Sequence, residues 1–261
     1  MVDVQFDPLF TGVGVALVTI FGEDLELDAP ATADLAAQLV ELGVKGVVVA
    51  GTTGEAAALD LDERAELLLA VRKSIPEGSG VPVIAGTGAP SARQAVRYTH
   101  LARDGGADAV LAMSPPGAGD PQRYYAAVAE AAGATPVFAY HYPAVSAPGI
   151  PLTALAGLPV SGLKDSSADP ARMAETISSW DHPVYSGSAA FLPYAGSLGC
   201  AGAMLALANA KPELCSAAFG GDIGAQMELL PHHRFIAGRF PSGIKELVAA
   251  RFGCSPRARL G

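Results

Sequence analysis

The chain has 261 residues, half of them hydrophobic, and a net charge of -9 from 17 basic and 26 acidic side chains. This acidity disfavours nucleic acid and no Lys/Arg-rich run offsets it, while no run of about 18 apolar residues is present to cross a membrane. The opening MVDVQFDPLF lacks a basic segment followed by an apolar one, so a cytoplasmic protein is expected; Cys200, Cys215 and Cys254, without CxxC spacing, fit small core residues rather than a disulfide framework or zinc site.

Short apolar, β-branched runs recur in chain order: VGVALV (13 to 18), KGVVVA (45 to 50), VPVIAG (81 to 86), ADAVLA (107 to 112), TPVFAY (135 to 140), VSGLKD (160 to 165), HPVYSG (182 to 187) and AGAMLAL (201 to 207). Helical periodicity fills several of the gaps, at residues 34 to 43, 62 to 75, 92 to 106 and 122 to 133. Asp60 and Glu63 read as a capping box, and Gly43, Gly105 and Gly133 as left-handed helix ends. Strand starts roughly 20 to 35 residues apart leave room for one helix each, and eight such units favour a closed (β/α)8 TIM barrel over an open doubly wound sheet. No GxGxxG follows the first run. The expected organisation is a single domain over residues 1–261, with the barrel at 10–210 and a short C-terminal helical extension at 211–261. One of those helices spans roughly Ile244 to Phe252.

In such a barrel the chemistry lies where the strands end. Run two closes in GTTGE (Gly51 to Glu55), run five in YHYP (Tyr140 to Pro143), run six in Lys164-Asp165-Ser166-Ser167 and run seven in Ser186-Gly187-Ser188. An ammonium at Lys164, set in an apolar barrel mouth, would have its pKa lowered by desolvation, as a nucleophile toward a ketone requires; pairing with Asp165 or Asp169 is the structural alternative. The Tyr140 phenol could shuttle protons to and from a carbinolamine on that lysine, or serve as a packed aromatic. GTTGE offers two hydroxyls and backbone amides to a carboxylate, or forms an ordinary turn, and lacks the GK[ST] ending of a phosphate loop. His141 reads as a substrate contact or a structural histidine. His232 and His233 lie in the C-terminal helical part, away from the strand ends, and no metal is expected there.

With GTTGE, YHYP and GLKD closing runs two, five and six, and GVGVALVT, PVIAGTG and VYSGS at runs one, three and seven, the sequence resembles the dihydrodipicolinate synthase / N-acetylneuraminate lyase family of Schiff-base-forming barrels, from about Gly12 to Arg257. The resemblance implies a pyruvate-like 2-oxo acid held as an imine on Lys164, with Tyr140 relaying protons and Thr52 and Thr53 holding the carboxylate. It also implies a pocket lined by Gly51, Gly187, Ser188 and Met204, an aldehyde as second reactant, no cofactor beyond the covalent imine, and a homodimer or homotetramer. YHYP and VYSGS look most like the 2-keto-3-deoxygluconate aldolase branch. Two positions depart from the family pattern: Val145 stands where the dihydrodipicolinate synthases carry an arginine, and Gly117 lies near the place of a relay tyrosine. The chain also stops near where the family's last helix would start, so a trimmed C-terminal bundle is expected. Dihydrodipicolinate synthesis and 2-oxo acid dehydration remain as alternatives within the same imine chemistry, and a catalytically impaired barrel that binds a 2-oxo acid is the alternative of another class.

Overall fold

The computed structural model describes residues 7–117 and 121–260. Residues 1–6, read above for a secretion signal, and 118–120, in the loop after the fourth apolar run, lie outside the described residues. Eight parallel strands close into one barrel: β1 (Gly12–Ala16), β2 (Val47–Val49), β3 (Val83–Gly86), β4 (Ala109–Met113), β5 (Val137–His141), β6 (Gly162–Asp165), β7 (Val184–Ser186) and β8 (Gly202–Leu205), each paired with its neighbours in sequence and β8 with β1. Between them run α1 (Ala29–Glu41), α2 (Leu61–Ser74), α3 (Ala92–Asp104), α4 (Pro121–Ala132), α5 (Leu152–Leu155), α6 (Pro170–Ser179) and α7 (Leu192–Ser197). After the barrel come α8 (Pro212–Phe219), α9 (Ile223–Ala237) and α10 (Ser242–Phe252).

Local chemistry sets these boundaries. Asp60 accepts from Glu63 N while the Glu63 carboxylate accepts from Asp60 N, the capping box expected at the start of α2. Asp28, with Pro30 just inside the helix, starts α1 five residues ahead of the predicted segment. Gly43 and Gly133 have the positive φ of left-handed helix ends, but at α3 that role falls to Gly106 (φ 79°), and Gly105 is a right-handed residue (φ −83°). Two adjacent glycines left the choice open, and the second one makes the turn.

Side chains alternate across each strand, so successive residues enter two separate apolar layers. Val48, Ile84, Leu111, Phe138, Tyr185 and Met204 fill the barrel interior, while Val47, Val49, Val137, Ala139 and Leu163 pack outward under the helices. Tyr185 closes the lower interior against Phe10 (ring centroids 4.8 Å) and Phe138 (5.7 Å), its hydroxyl donating to Phe10 O at 2.8 Å. Gly162 is required there, because a Cβ would come within 2.3 Å of the Phe138 ring. Asn209, just past β8, accepts from Val18 N and donates to Ala16 O, tying the end of the barrel to its beginning. Cys200 and Cys215 are buried as expected, whereas Cys254 is half-buried.

Candidate active site

The alternation within β5 and β6 decides which strand-end residues meet. Tyr140 lies opposite Lys164 and His141 opposite Asp165 in the register of these strands; Tyr140 belongs to the interior layer. Asp165 therefore faces the helices. It is buried and accepts from Arg172 Nε at 2.9 Å, and Arg172 in turn donates to Ile150 O at 2.7 Å. His141 Nδ1 accepts from Ile150 N at 2.8 Å. Both partners weighed for Lys164 are thus engaged elsewhere, Asp165 with Arg172 and Asp169 as the N-cap of α6. The structure does not bring His141 to the lysine, and it sits on the outer layer as a backbone acceptor. The period-two pattern of TPVFAYHYP already carried that signal, since neighbours on one strand face opposite sides.

Lys164 is only 4 % exposed, and among the described residues no carboxylate pairs with it. Its ammonium lies 4.4 Å from the centroid of the Tyr140 ring. Desolvation without a counter-charge penalises the charged form and brings the amine from its ordinary 10.5 to about 7. The Tyr140 phenol is buried as well and held above its usual value of 10 by desolvation, which hydrogen bonds with Ser166 and Thr52 oppose. Ser166 Oγ approaches Tyr140 Oη at 3.5 Å. Tyr142 stacks on Tyr140 with ring centroids 5.9 Å apart. Around neutral pH the pair is therefore an amine poised to lose its proton beside a phenol that keeps one.

A cavity of about 290 Å³ opens above this pair at the C-terminal ends of the strands and is lined by Thr52, Thr53, Tyr140, Lys164, Gly187, Ser188 and Met204 of the expected set. Gly51 lies on a smaller adjoining space shared with Thr52 and Tyr140. Gly187 admits no side chain, because a Cβ would fall within 1.8 Å of Ser166 Oγ. The GTTGE turn is held by Thr19 Oγ1 donating to Gly54 O at 2.7 Å, and it leads into a three-residue 3-10 turn at Ala56–Ala58 rather than directly into a helix. An anion there would meet hydroxyls and turn amides, not a helix N-terminus. Ser166, named from the sequence only as part of the close of run six and given no role, lies two residues beyond Lys164 and lines the same cavity. Sequence reasoning also placed His233 away from the strand ends, whereas α9 and the turn after it bring His233, Ile236, Ala237 and Phe240 into the cavity wall.

Glu55 ends the GTTGE turn with a left-handed backbone (φ 55°) and a fully buried carboxylate. Lys245 of α10 pairs with it, and Arg259 N and Leu260 N donate to its other oxygen at 2.8 and 2.6 Å. The Arg259 guanidinium grips Glu63, the capping residue of α2, at 2.6 and 2.8 Å. The turn that carries the two threonines is thus anchored from behind by the last residues described. Val145 faces a second cavity of about 510 Å³, lined also by Met113, Pro115, Arg64 and Leu260. Among the described residues no group of three or more His, Cys, Asp or Glu could hold a metal ion.

A closed parallel barrel with a desolvated lysine beside a phenol at its mouth, and no carboxylate partner for it among the described residues, is the framework of a lyase that works through a lysine imine. The model of the dihydrodipicolinate synthetase family matches residues 9–249. An uncharacterised DapA-like lyase of Halobacterium salinarum is 39% identical over 220 residues, covering 80% of this chain and 71% of its own. The 4-hydroxy-tetrahydrodipicolinate synthase of Pseudomonas aeruginosa is 35% identical over 245 residues, covering 87% and 82%. Among solved structures, YagE of E. coli K12, a prophage protein in complex with pyruvate, superposes with a TM-score of 0.85 at 27% identity over 96% of this chain and 92% of its own. The chain belongs to the dihydrodipicolinate synthetase family of Schiff-base lyases.

Proposed function

We propose that the protein is a pyruvate-dependent class I aldolase or lyase, in which Lys164 forms an imine with a 2-oxo acid and the adjacent carbon-carbon bond is made or cleaved. The neutral amine adds to the ketone carbon, the oxygen gains a proton and leaves as water, and the iminium then draws electrons from the neighbouring carbon. Tyr140 supplies and recovers the proton, with Ser166 and Thr52 in contact with its hydroxyl. Thr52 and Thr53 hold the 2-oxo acid's carboxylate, and Gly187, Ser188 and Met204 shape its seat. The observation that carries this reading is Lys164, buried on a substrate-sized cavity with no carboxylate partner among the described residues, where desolvation brings its amine down to about 7. Pyruvate bound to the similar YagE supports the choice of 2-oxo acid. Incubation with pyruvate, borohydride reduction and peptide mapping tests it: label is expected on Lys164, and an unmodified lysine at saturating pyruvate rejects the reading.

Condensation with aspartate semialdehyde is the second reading, favoured by relatives named 4-hydroxy-tetrahydrodipicolinate synthase. Against it, Val145 stands in place of an arginine and faces the neighbouring cavity. The motif likeness to the 2-keto-3-deoxygluconate aldolase branch points instead to an aldehyde without an amino-acid head. Gly117 brings no side chain to the relay, so Tyr140 works here with Thr52 and Ser166. Exchange of the pyruvate methyl protons into heavy water is the expected sign of a working relay, and pyruvate binding without exchange would make the protein a 2-oxo acid binder. By resemblance to the family a homodimer or homotetramer is expected, to be read by sedimentation. No helix of the described chain is long and apolar enough to cross a membrane, and a cytoplasmic location is part of the same proposal.

A further inference from the structure

The cavity above Lys164 changes character from floor to rim. Lys164, Tyr140, Thr53 and Ser188 at the floor are buried and polar, whereas Ala144, Ala168, Ala237 and Phe240 are exposed at the rim, with Ile236 buried beneath them. The volume of about 290 Å³ equals the liquid share of about ten waters at roughly 30 Å³ each, and pyruvate has only six heavy atoms, so room remains for a second reactant.

Among the described lining residues Lys164 is the only Lys, Arg, Asp or Glu. Charged residues neighbouring the rim have partners of their own. Arg172 is held by Asp165 and Ile150 O, and Arg239, next to Phe240, by Glu246 at 2.6 Å and by the Phe235 ring at 4.6 Å. Asp169 caps α6. His233 is half-buried and desolvation lowers its pKa, so at neutral pH it adds an uncharged imidazole. A charged substituent seated there would lose its water without gaining a counter-charge, while an alkyl or aryl group would cover apolar surface.

Resting on the imine reading, we propose that the aldehyde this enzyme adds or releases is uncharged and carries a compact apolar group seated against Phe240, Ile236 and Ala168. The rim thereby selects the second substrate, and α9 with the turn that follows it is a specificity element. Three measurements on the intact chain test this. Borohydride trapping of pyruvate on Lys164 reads the imine without any aldehyde. Then kcat/KM at saturating pyruvate is compared for benzaldehyde, butanal, glyceraldehyde and succinic semialdehyde, with the two apolar aldehydes expected to exceed glyceraldehyde severalfold and the anionic one at least tenfold. Phe240→Ala is expected to raise KM for benzaldehyde severalfold with a smaller change in kcat, and Ala168→Arg to improve kcat/KM for succinic semialdehyde. A labelled lysine together with equal or better use of the charged aldehyde or of glyceraldehyde overturns the proposal alone. An unlabelled lysine overturns the imine reading beneath it.

Discussion

Two lysines are buried among the described residues, and they lead opposite lives. Lys164 is 4 % exposed and Lys245 1 %, each has an aromatic ring within 4.4 Å of its ammonium, and burial lowers the pKa of both. Lys245 nevertheless has the Glu55 carboxylate against it and donates to Arg257 O at 2.7 Å, so its charge is held and its nitrogen is walled in. Lys164 has no such partner among the described residues and opens onto a cavity. Burial alone therefore does not make a nucleophile. The difference is a missing carboxylate and a space in which a ketone can arrive.

The sharpest way to break the comparison is to remove each amine in turn. Lys164→Met is expected to lower kcat/KM by about 10⁴-fold or more while the thermal melt stays level or rises, since a desolvated buried amine is lost and an apolar chain gained. Lys245→Met should do the reverse at the level of the fold, costing about 3–5 kcal/mol in urea denaturation, because Glu55 is left charged and buried; Lys245→Met combined with Glu55→Gln should recover part of that loss. A melt unaffected by Lys245→Met would show that the pair does not anchor the turn.

Acidity separates the two amines next. With Lys164 titrating near 7 in the folded chain, kcat/KM for imine formation should climb about tenfold per pH unit below 7 and flatten above it. Between 7 and the unfolded value of 10.5 the unfolded chain binds the extra proton, so this lysine makes stability rise with pH by up to about 1.4 kcal/mol per unit. Urea midpoints of wild type and Lys164→Met at several pH values isolate that slope, which the variant should lack. The smallest effect is expected from Ser166→Ala, a loss of up to about tenfold in kcat, for a hydrogen bond worth about 1 kcal/mol to the Tyr140 hydroxyl. A larger loss would give Ser166 a direct part in moving the proton.

The barrel and its floor were legible because they depend on local pattern: β-branched runs mark the strands, and strand ends mark the mouth. Lys164, Tyr140, Thr52 and Thr53 stood out as polar residues closing apolar runs. What escaped depends on contacts between distant parts of the chain. Glu55 meets Lys245 and the backbone of Arg259 across about two hundred residues, and neither a lysine within a helix nor a glutamate after a glycine announces burial. The approach of α9 was hidden for the same reason, since periodicity identifies a helix but not the cavity it lines. His141 was open between a substrate contact and a structural histidine, and strand alternation, a local rule, favours the second by setting it on the face opposite Tyr140.

Because α9 and the turn after it join the cavity wall after the eight strands are complete, the residues proposed to do chemistry and most of those proposed to choose the substrate occupy different stretches of the gene. Strand ends between residues 52 and 204 supply the first, and the segment from 223 to 240 supplies Ile236 and Phe240. A short cassette could then be exchanged to retarget the catalyst without rebuilding it.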